Sequence, residues 1–160
     1  NAGMQFWSES IQELTDDQVD RSFALNVQAM FTLSRAALRV MPAGSTIINT
    51  TSVQAYKPSD VLPDYAATKA AIKAFTKSLA QQAAPQGIRV NAVAPGPFWT
   101  PLQVTDGQPD AKLDGFGQQS WLGRAGHPVE IAPAYVYLAS AESSYVVGSV
   151  LDVNGGAPTP

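Results

Sequence analysis

Segments of helical periodicity alternate along this chain with short segments rich in β-branched residues, and this alternation limits the fold more than any other feature. Strands separated by helices run parallel, and each helix crosses one face of the sheet. The sequence therefore predicts an α/β fold, a doubly wound parallel sheet with flanking helices. The expected helices span residues 16–41, 64–84 and 128–141, and the expected strands span 46–51, 88–94 and 149–153.

Local signals set the expected helix ends. Thr15 and Gln18 fit a capping box at the start of the first helix, and Pro42 and Gly44 are expected to stop it. Pro133 lies inside the third expected helix, where it removes one backbone hydrogen bond, so we expect a kink or a late start there.

Composition excludes several classes of function. The 160 residues are 45% hydrophobic and 14% charged, which suits one folded domain. With no cysteine and a single histidine, His127, we expect no metal site. A net charge of -3 gives no reason to expect nucleic acid as a partner, and no apolar segment is long enough for a membrane span. We expect a cytoplasmic protein.

Three polar residues suggest a site for proton transfer. Ser52 ends an apolar segment, and Tyr65 and Lys69 follow on one expected helix, four residues apart and thus on one face. A phenol whose pKa is lowered by a nearby ammonium suits the interconversion of an alcohol and a carbonyl. That reaction needs a hydride carrier, which implies a nicotinamide cofactor. Tyr65 on a helix surface with a solvated Lys69 explains the spacing equally well.

The expected strands bring further polar groups to one edge of the sheet. Ser52, Pro95-Gly96 and Asn154-Gly155 each follow a strand, so all should lie at the carboxyl edge, where such sheets bind ligands. Asn26 lies in the middle of the first expected helix, either as a tolerated polar residue or as an amide placed near this site.

The sequence resembles the short-chain dehydrogenase/reductase family over essentially the whole chain. Within the family, segments 51–56, 95–102 and 123–126 are most similar to bacterial oxidoreductases related to glucose dehydrogenase and to general stress proteins. The resemblance implies a Rossmann-like fold. The segments that match the family in order and spacing are Asn1-Ala2-Gly3, Asn26, Ser52, Tyr65-Ala-Ala-Thr-Lys69, 88–96 (Ile-Arg-Val-Asn-Ala-Val-Ala-Pro-Gly) and Asn154-Gly155-Gly156.

The resemblance implies a role for each matching polar residue. Tyr65 would be the catalytic acid and base, and Lys69 would bind the nicotinamide ribose hydroxyls and lower the pKa of Tyr65. Ser52 would orient the substrate oxygen, and Asn26 would hold a water molecule in a proton relay.

The resemblance also implies contacts with NAD or NADP and with an alcohol, aldehyde or ketone substrate. The segment 98–126 would be the substrate loop, and substrate contacts are expected from Ser52, Gln54, Tyr65 and Trp99. Residues implied in cofactor binding, besides Tyr65 and Lys69, are Asn1, Ala2 and Gly3 on the adenosine side, Pro95 and Gly96 near the nicotinamide, and the Phe98 backbone and Thr100 hydroxyl at its carboxamide.

The chain departs from the family pattern in one major respect. It contains neither the glycine-rich phosphate turn nor the residue that selects NAD or NADP. We therefore expect residues 1–160 to be the carboxyl-terminal part of a single Rossmann-fold domain without its first βαβ units. Whether this part alone binds cofactor stays open.

Two alternatives to the enzyme follow. The chain could be a non-catalytic fragment or a subunit-pairing module, because the first two long helices resemble those that pair subunits in this family; a homodimer or homotetramer is expected for the full-length protein. A serine hydrolase using Ser52 is disfavoured, because His127 lies in an unrelated loop and no nucleophile elbow surrounds Ser52.

Overall fold

The computed structural model describes residues 2–156, apart from the side chains of residues 106 and 107. A three-stranded sheet, in the order β1-β2-β3, forms its centre, and both strand pairs are parallel, as the alternating pattern predicts. The strands are β1 (Thr46–Thr50), β2 (Arg89–Pro95) and β3 (Val150–Val153), and the helices are α1 (Asp16–Phe23), α2 (Ala29–Ala37), α3 (Pro63–Ala83) and α4 (Pro128–Ala139).

Side chains of β1 show that α3 and α4 cover opposite faces of the sheet. Asn49 donates to Thr76 of α3 at 2.9 Å, whereas the neighbouring Thr50 bonds the Tyr135 hydroxyl of α4 at 2.7 Å. Adjacent residues of a strand point to opposite faces. The sheet is therefore doubly wound, with helices on both faces, as expected.

The hydrophobic core lies between α3 and the sheet. Leu79, Ala80 and Ala83 of α3 pack against Ile88 and Val90, and all five side chains are buried. Burying one side chain of the size of Ile88 or Val90 contributes about 1.5–3 kcal/mol. This core fixes the position of α3, the helix that carries Tyr65 and Lys69.

The first helix differs from the expected uninterrupted 16–41. The capping box is present: Thr15 Oγ1 accepts from the Gln18 N–H at 3.2 Å, and Gln18 Oε1 accepts from the Thr15 N–H at 2.9 Å. A π-helical turn, Ala24–Gln28, then separates α1 from α2, and α2 ends at Ala37. The expected end at residue 41 was wrong, because short i→i+3 bonds such as Arg39 N–H to the Ala36 carbonyl tighten the chain first.

The carboxyl-terminal half follows the expected order. Helix α4 begins at Pro128 and continues through Pro133. Of the two expected effects of Pro133, the late start was wrong, and a kink stays a prediction. The segment between β2 and α4 is a long loop with only single helical turns, Gln103–Gly107 and Asp110–Lys112. A parallel bridge between Phe98 and Gly126 joins the two ends of this loop.

Two polar side chains of β2 fasten the segments after α4. Arg89, on the α4 face, donates to the carbonyls of Leu138 and Ser140, both at 3.1 Å, and so satisfies the carbonyl end of α4. The fully buried Asn91 donates to the Val146 carbonyl at 2.8 Å and accepts from the Ser149 N–H at 3.0 Å. Strand β3 is thereby tied to the centre of the sheet.

Within residues 2–156, none of the helices combines the length and apolar character that a membrane crossing needs. In the same residues, no group of three or more aspartate, glutamate or histidine side chains is arranged to bind a metal ion.

Candidate active site

The carboxyl ends of the three strands meet at one edge of the sheet, as the parallel pairing requires. Ser52 lies two residues beyond β1, Gly96 directly follows β2, and Asn154 directly follows β3. A Cβ atom on Gly96 would lie 2.7 Å from both the Cα and the carbonyl oxygen of Asn154, so only glycine allows this approach. The edge is therefore closely packed behind the candidate site.

Tyr65, in the first turn of α3, reaches the Ser52 hydroxyl. The Ser52 hydroxyl lies close enough to the phenol to lower its pKa as a hydrogen-bond partner. Ser52 Oγ also accepts from the Gln54 N–H at 3.2 Å. Ser52 is only 6% exposed. Because the Gln54 N–H occupies only one lone pair of the serine oxygen, the serine proton remains available for donation to an oxygen beside the Tyr65 phenol.

Lys69 lies one helical turn beyond Tyr65 and is 6% exposed, so the interpretation as a solvated surface lysine was wrong. Its Nζ lies 5.2 Å from the centre of the Tyr65 ring and donates to the Thr50 carbonyl at 3.1 Å. Burial lowers the pKa of Lys69 from 10.5 to about 8. Three of the residues expected at the site, Ser52, Tyr65 and Lys69, are thus brought together.

The electrostatics of Tyr65 differ from the expected lowered pKa. Burial raises the pKa of Tyr65, and the hydrogen bond from Ser52 opposes that rise only in part. The free-energy cost of removing the phenolate from water is larger than the stabilisation that one hydrogen bond provides at this site. The expected lowering by Lys69 is not seen in this structure, and burial also disfavours the lysine charge that would cause it.

Asn26 lies in the π-helical turn, is 4% exposed, and is fully engaged with the protein. Its Oδ1 accepts from the Met4 N–H at 3.0 Å, while its Nδ2 donates to the Met4 carbonyl at 2.9 Å and to Thr68 Oγ1 at 3.1 Å. Thr68 in turn donates to the Tyr65 carbonyl at 2.7 Å. The amide therefore links the segment before α1 to the turn that carries Tyr65, and its expected role in holding water stays a prediction.

Gly3 lies beside the same group. A Cβ atom there would be 3.6 Å from Asn26 Oδ1 and 3.9 Å from Lys69 Nζ, so the backbone passes close to both side chains. Ala2 is exposed. Asn1, the third residue of the expected adenosine contact, lies outside the described residues.

The residues expected after β2 line the base of the long loop. Phe98 is buried with its ring against Gly126, and Gly126 bonds the Pro97 carbonyl and the Trp99 N–H, both at 2.9 Å. Trp99 is 38% exposed and makes an edge contact with Phe116, with ring centres 5.1 Å apart. Thr100 is half-buried. A cavity of about 200 Å³ lies beside Phe98 at this edge of the sheet.

Gln54, expected to contact substrate, is engaged within its own loop. Its Oε1 accepts from the Ser59 N–H at 2.6 Å. Its side chain therefore stabilises the loop between Ser52 and α3, and a contact with substrate stays a prediction.

The sequence analysis assigned no role to several residues around Tyr65. Thr68 lies three residues beyond Tyr65, a spacing at which a threonine hydroxyl commonly bonds a helix carbonyl. Ser22 forms a buried hydrogen bond with Asp64, the residue before Tyr65. No local sequence signal indicates this bond. Arg124 and Glu130 form an ion pair at 2.7 Å across the end of the long loop. The sequence pattern around these two residues did not predict their pairing.

The family model described as enoyl-(acyl carrier protein) reductase matches residues 1–158. The chain belongs to the short-chain dehydrogenase/reductase family. Among curated relatives, it is 51% identical to NADPH-dependent aldehyde reductase 1, chloroplastic, of Arabidopsis thaliana, and 48% identical to glucose and ribitol dehydrogenase of Daucus carota. Each match covers 98% of this chain and 54% of the relative, so the chain spans about half the length of these relatives.

A solved structure of the short-chain dehydrogenase/reductase family confirms the fold. The angucycline C-6 ketoreductase LanV, solved with bound NADP, superposes with a TM-score of 0.90 at 29% identity, over 98% of this chain and 60% of that one. The sequence-based resemblance to the family, and within it to proteins related to glucose dehydrogenase, is thereby confirmed.

Proposed function

We propose that the whole protein is an NAD(P)-dependent oxidoreductase that interconverts an alcohol and an aldehyde or ketone. The observation that carries the proposal is the Tyr65 phenol beside the Ser52 hydroxyl, with the Lys69 ammonium 5.2 Å from the centre of its ring. Two relatives are named as an aldehyde reductase and as a glucose and ribitol dehydrogenase, and both names describe reactions between alcohols and carbonyl compounds. The buried, converging side chains do not favour a non-catalytic module.

In the proposed reaction, Tyr65 transfers the proton and Ser52 stabilises the substrate oxygen. In the direction of reduction, the phenol donates its proton to the carbonyl oxygen as negative charge develops there. Ser52 donates a second hydrogen bond to the same oxygen, and the bond from the Gln54 N–H helps to hold Ser52 Oγ in place. In the direction of oxidation, the tyrosine oxygen accepts the alcohol proton.

The residues at the site fit a nicotinamide cofactor, NAD or NADP, by the chemistry of their donors. The Lys69 ammonium has three N–H groups and donates one of them to the Thr50 carbonyl. The other two can donate hydrogen bonds to ribose hydroxyls. When bound, the cofactor supplies or accepts the hydride. Asn26, through Thr68, holds the Tyr65 turn and is proposed to lie on the path by which the tyrosine proton is replaced.

The remaining contacts extend this proposal along the edge of the sheet. Pro97 and Trp99, on either side of Phe98, bond Gly126, which leaves the Phe98 N–H and carbonyl outside that bridge. These two groups and the Thr100 hydroxyl are proposed to bind the nicotinamide carboxamide. Residues proposed to line the cofactor are Ala2, Gly3, Pro95 and Gly96, with Asn1 outside the described residues. Gln54 and Trp99 are proposed to contact substrate.

We further propose that residues 1–160 belong to a single nucleotide-binding domain, with residues 98–126 as its substrate loop. A cytoplasmic homodimer or homotetramer is proposed for the whole protein. Exposed apolar side chains on the first helices support pairing of subunits, since Phe31 is 50% and Leu33 is 70% exposed.

Tyr65→Phe in the whole protein tests the proposed function. Removing the hydroxyl is expected to lower kcat by at least about 100-fold, the usual contribution of a placed acid or base. Tyr145→Phe is the matched control, because Tyr145 is fully exposed. Cofactor binding, followed by tryptophan fluorescence, should survive in both variants. Undiminished turnover in Tyr65→Phe would refute the assigned role.

A further inference from the structure

Two buried polar contacts join the first helix to the start of α3. Ser22 Oγ donates to Asp64 Oδ2, and Asn26 Nδ2 donates to Thr68 Oγ1 at 3.1 Å. The partners are four residues apart on each helix, so the two contacts lie one above the other on facing sides. Tyr65 lies between Asp64 and Thr68 in the sequence.

Burying the Asp64 side chain at this position costs free energy of folding. It is 4% exposed, Ser22 is fully buried, and among residues 2–156 no hydrogen-bond partner meets Asp64 Oδ1. A carboxylate out of water with a single hydroxyl partner is unfavourable, although the N-terminal end of α3 offsets part of that cost. Polar groups retained at such cost often specify one arrangement of the elements that they join.

The start of α3 is supported by contacts other than a side-chain cap. Leu62, at the N-cap position, supplies no side-chain cap within the described part of the chain. The first turn is held instead by the Ser22 bond to Asp64 and by the Thr68 bond to the Tyr65 carbonyl at 2.7 Å. Loss of the Ser22 bond would remove the contact that ties the Asp64 side chain, next to Tyr65, to α1.

We propose that Asp64, bonded to Ser22, is a positioning residue that holds the first turn of α3 where the Tyr65 phenol meets the Ser52 hydroxyl. The inference rests on the proposed function, because alignment for proton transfer is the purpose of that placement. Asp64 itself touches neither substrate nor cofactor in this account. It acts on the angle and distance of the phenol.

Tyrosine labelled with ¹³C at Cζ gives a readout of Tyr65 that does not depend on turnover. Residues 1–160 contain five tyrosines, and the Tyr65 resonance is the one that Tyr65→Phe removes. In the whole protein, Ser22→Ala and Asp64→Ala should shift this resonance and its titration midpoint. They should also lower kcat about tenfold or more, with the cofactor Kd changed less than about twofold. Asp64→Asn, which keeps an oxygen to accept from Ser22, should restore the wild-type resonance.

Thr76→Ala is the matched control on the same helix. It removes the buried acceptor of Asn49 Nδ2, eleven residues beyond Tyr65, and so perturbs α3 at a distance of about 16 Å along its axis. It should lower stability while leaving the Tyr65 resonance in place. If Thr76→Ala shifts the resonance as far as Ser22→Ala does, the role of Asp64 is merely structural and the proposal is overturned.

The remaining outcomes separate the two proposals. An unshifted Tyr65 resonance in Ser22→Ala overturns the positioning role, whatever the turnover. Full turnover in Tyr65→Phe removes the proposed function, while the resonance still decides whether Ser22 and Asp64 place the phenol. If Ser22→Ala does not fold, Ser22→Ala combined with Asp64→Asn removes the hydroxyl and the buried charge together, and its Tyr65 resonance decides in the same way.

Discussion

Replacing Lys69 by methionine should make the cofactor-free protein more stable at neutral pH while abolishing its turnover. Lys69 is 6% exposed, and burial lowers its pKa from 10.5 to about 8. Methionine fills a similar volume without a charge, so the substitution removes the cost of holding an ammonium ion out of water.

The size of the effect follows from the pKa. The difference between 10.5 and about 8 corresponds to ~3 kcal/mol, at about 1.36 kcal/mol for each pH unit. Methionine also loses the bond to the Thr50 carbonyl, worth about 1.5–3 kcal/mol when the donor is charged. The net gain in the free energy of unfolding at pH 7 is therefore roughly 1 kcal/mol.

The pH dependence gives the sharper test. Between about pH 8 and 10.5 the unfolded chain holds a proton on Lys69 that the folded chain has released, so raising the pH favours the folded wild type. The advantage of Lys69→Met should stay constant below about pH 8 and then fall by ~3 kcal/mol by pH 10.5.

Urea unfolding of the wild type and of Lys69→Met, at one protein concentration and several pH values, measures this difference. Other titrating groups contribute equally to both proteins and cancel. A difference that stays constant from pH 7 to 10.5 would show that Lys69 is well solvated, and the described burial would then be the wrong explanation for its environment.

Two further substitutions test how the strand ends are held together. Asn91→Ala should lower the free energy of unfolding by about 2–4 kcal/mol, because it leaves the Val146 carbonyl and the Ser149 N–H without their partner. Urea titration measures this loss, and a loss below about 0.5 kcal/mol would contradict the reasoning. Gly96→Ala should lower Tm and weaken cofactor binding, because its Cβ would lie 2.7 Å from the Asn154 backbone. Gly115→Ala, where nothing lies within 4 Å, should do neither, and equal effects of the two would refute the steric argument.

Features set by neighbouring residues could be predicted from the sequence. The Thr15 capping box depends on residues three apart, and the strands follow from β-branched segments between helices. The approach of Ser52, Tyr65 and Lys69 follows from helical spacing and parallel topology. These elements needed no knowledge of the packing between distant segments.

What could not be predicted depends on contacts between distant parts of the chain. The partners of Asn26 lie 22 and 42 residues away, and Ser22 meets Asp64 across 42 residues. The raised pKa of Tyr65 follows from burial by the assembled fold, which no spacing in the sequence reveals. The π-helical turn is likewise invisible, because the apolar pattern on either side of it remains helical.

The π-helical turn also affects how related sequences can be compared. A turn of this kind accommodates one residue more than an α-helical turn, and each residue of an α-helix rotates the chain by about 100°. Deleting one residue between Ala24 and Gln28 would therefore convert this turn into an α-helical one and leave the helices on either side in phase. Only the residues of the turn itself, Asn26 among them, would change direction, although an alignment would record no more than a single gap in a continuous helix.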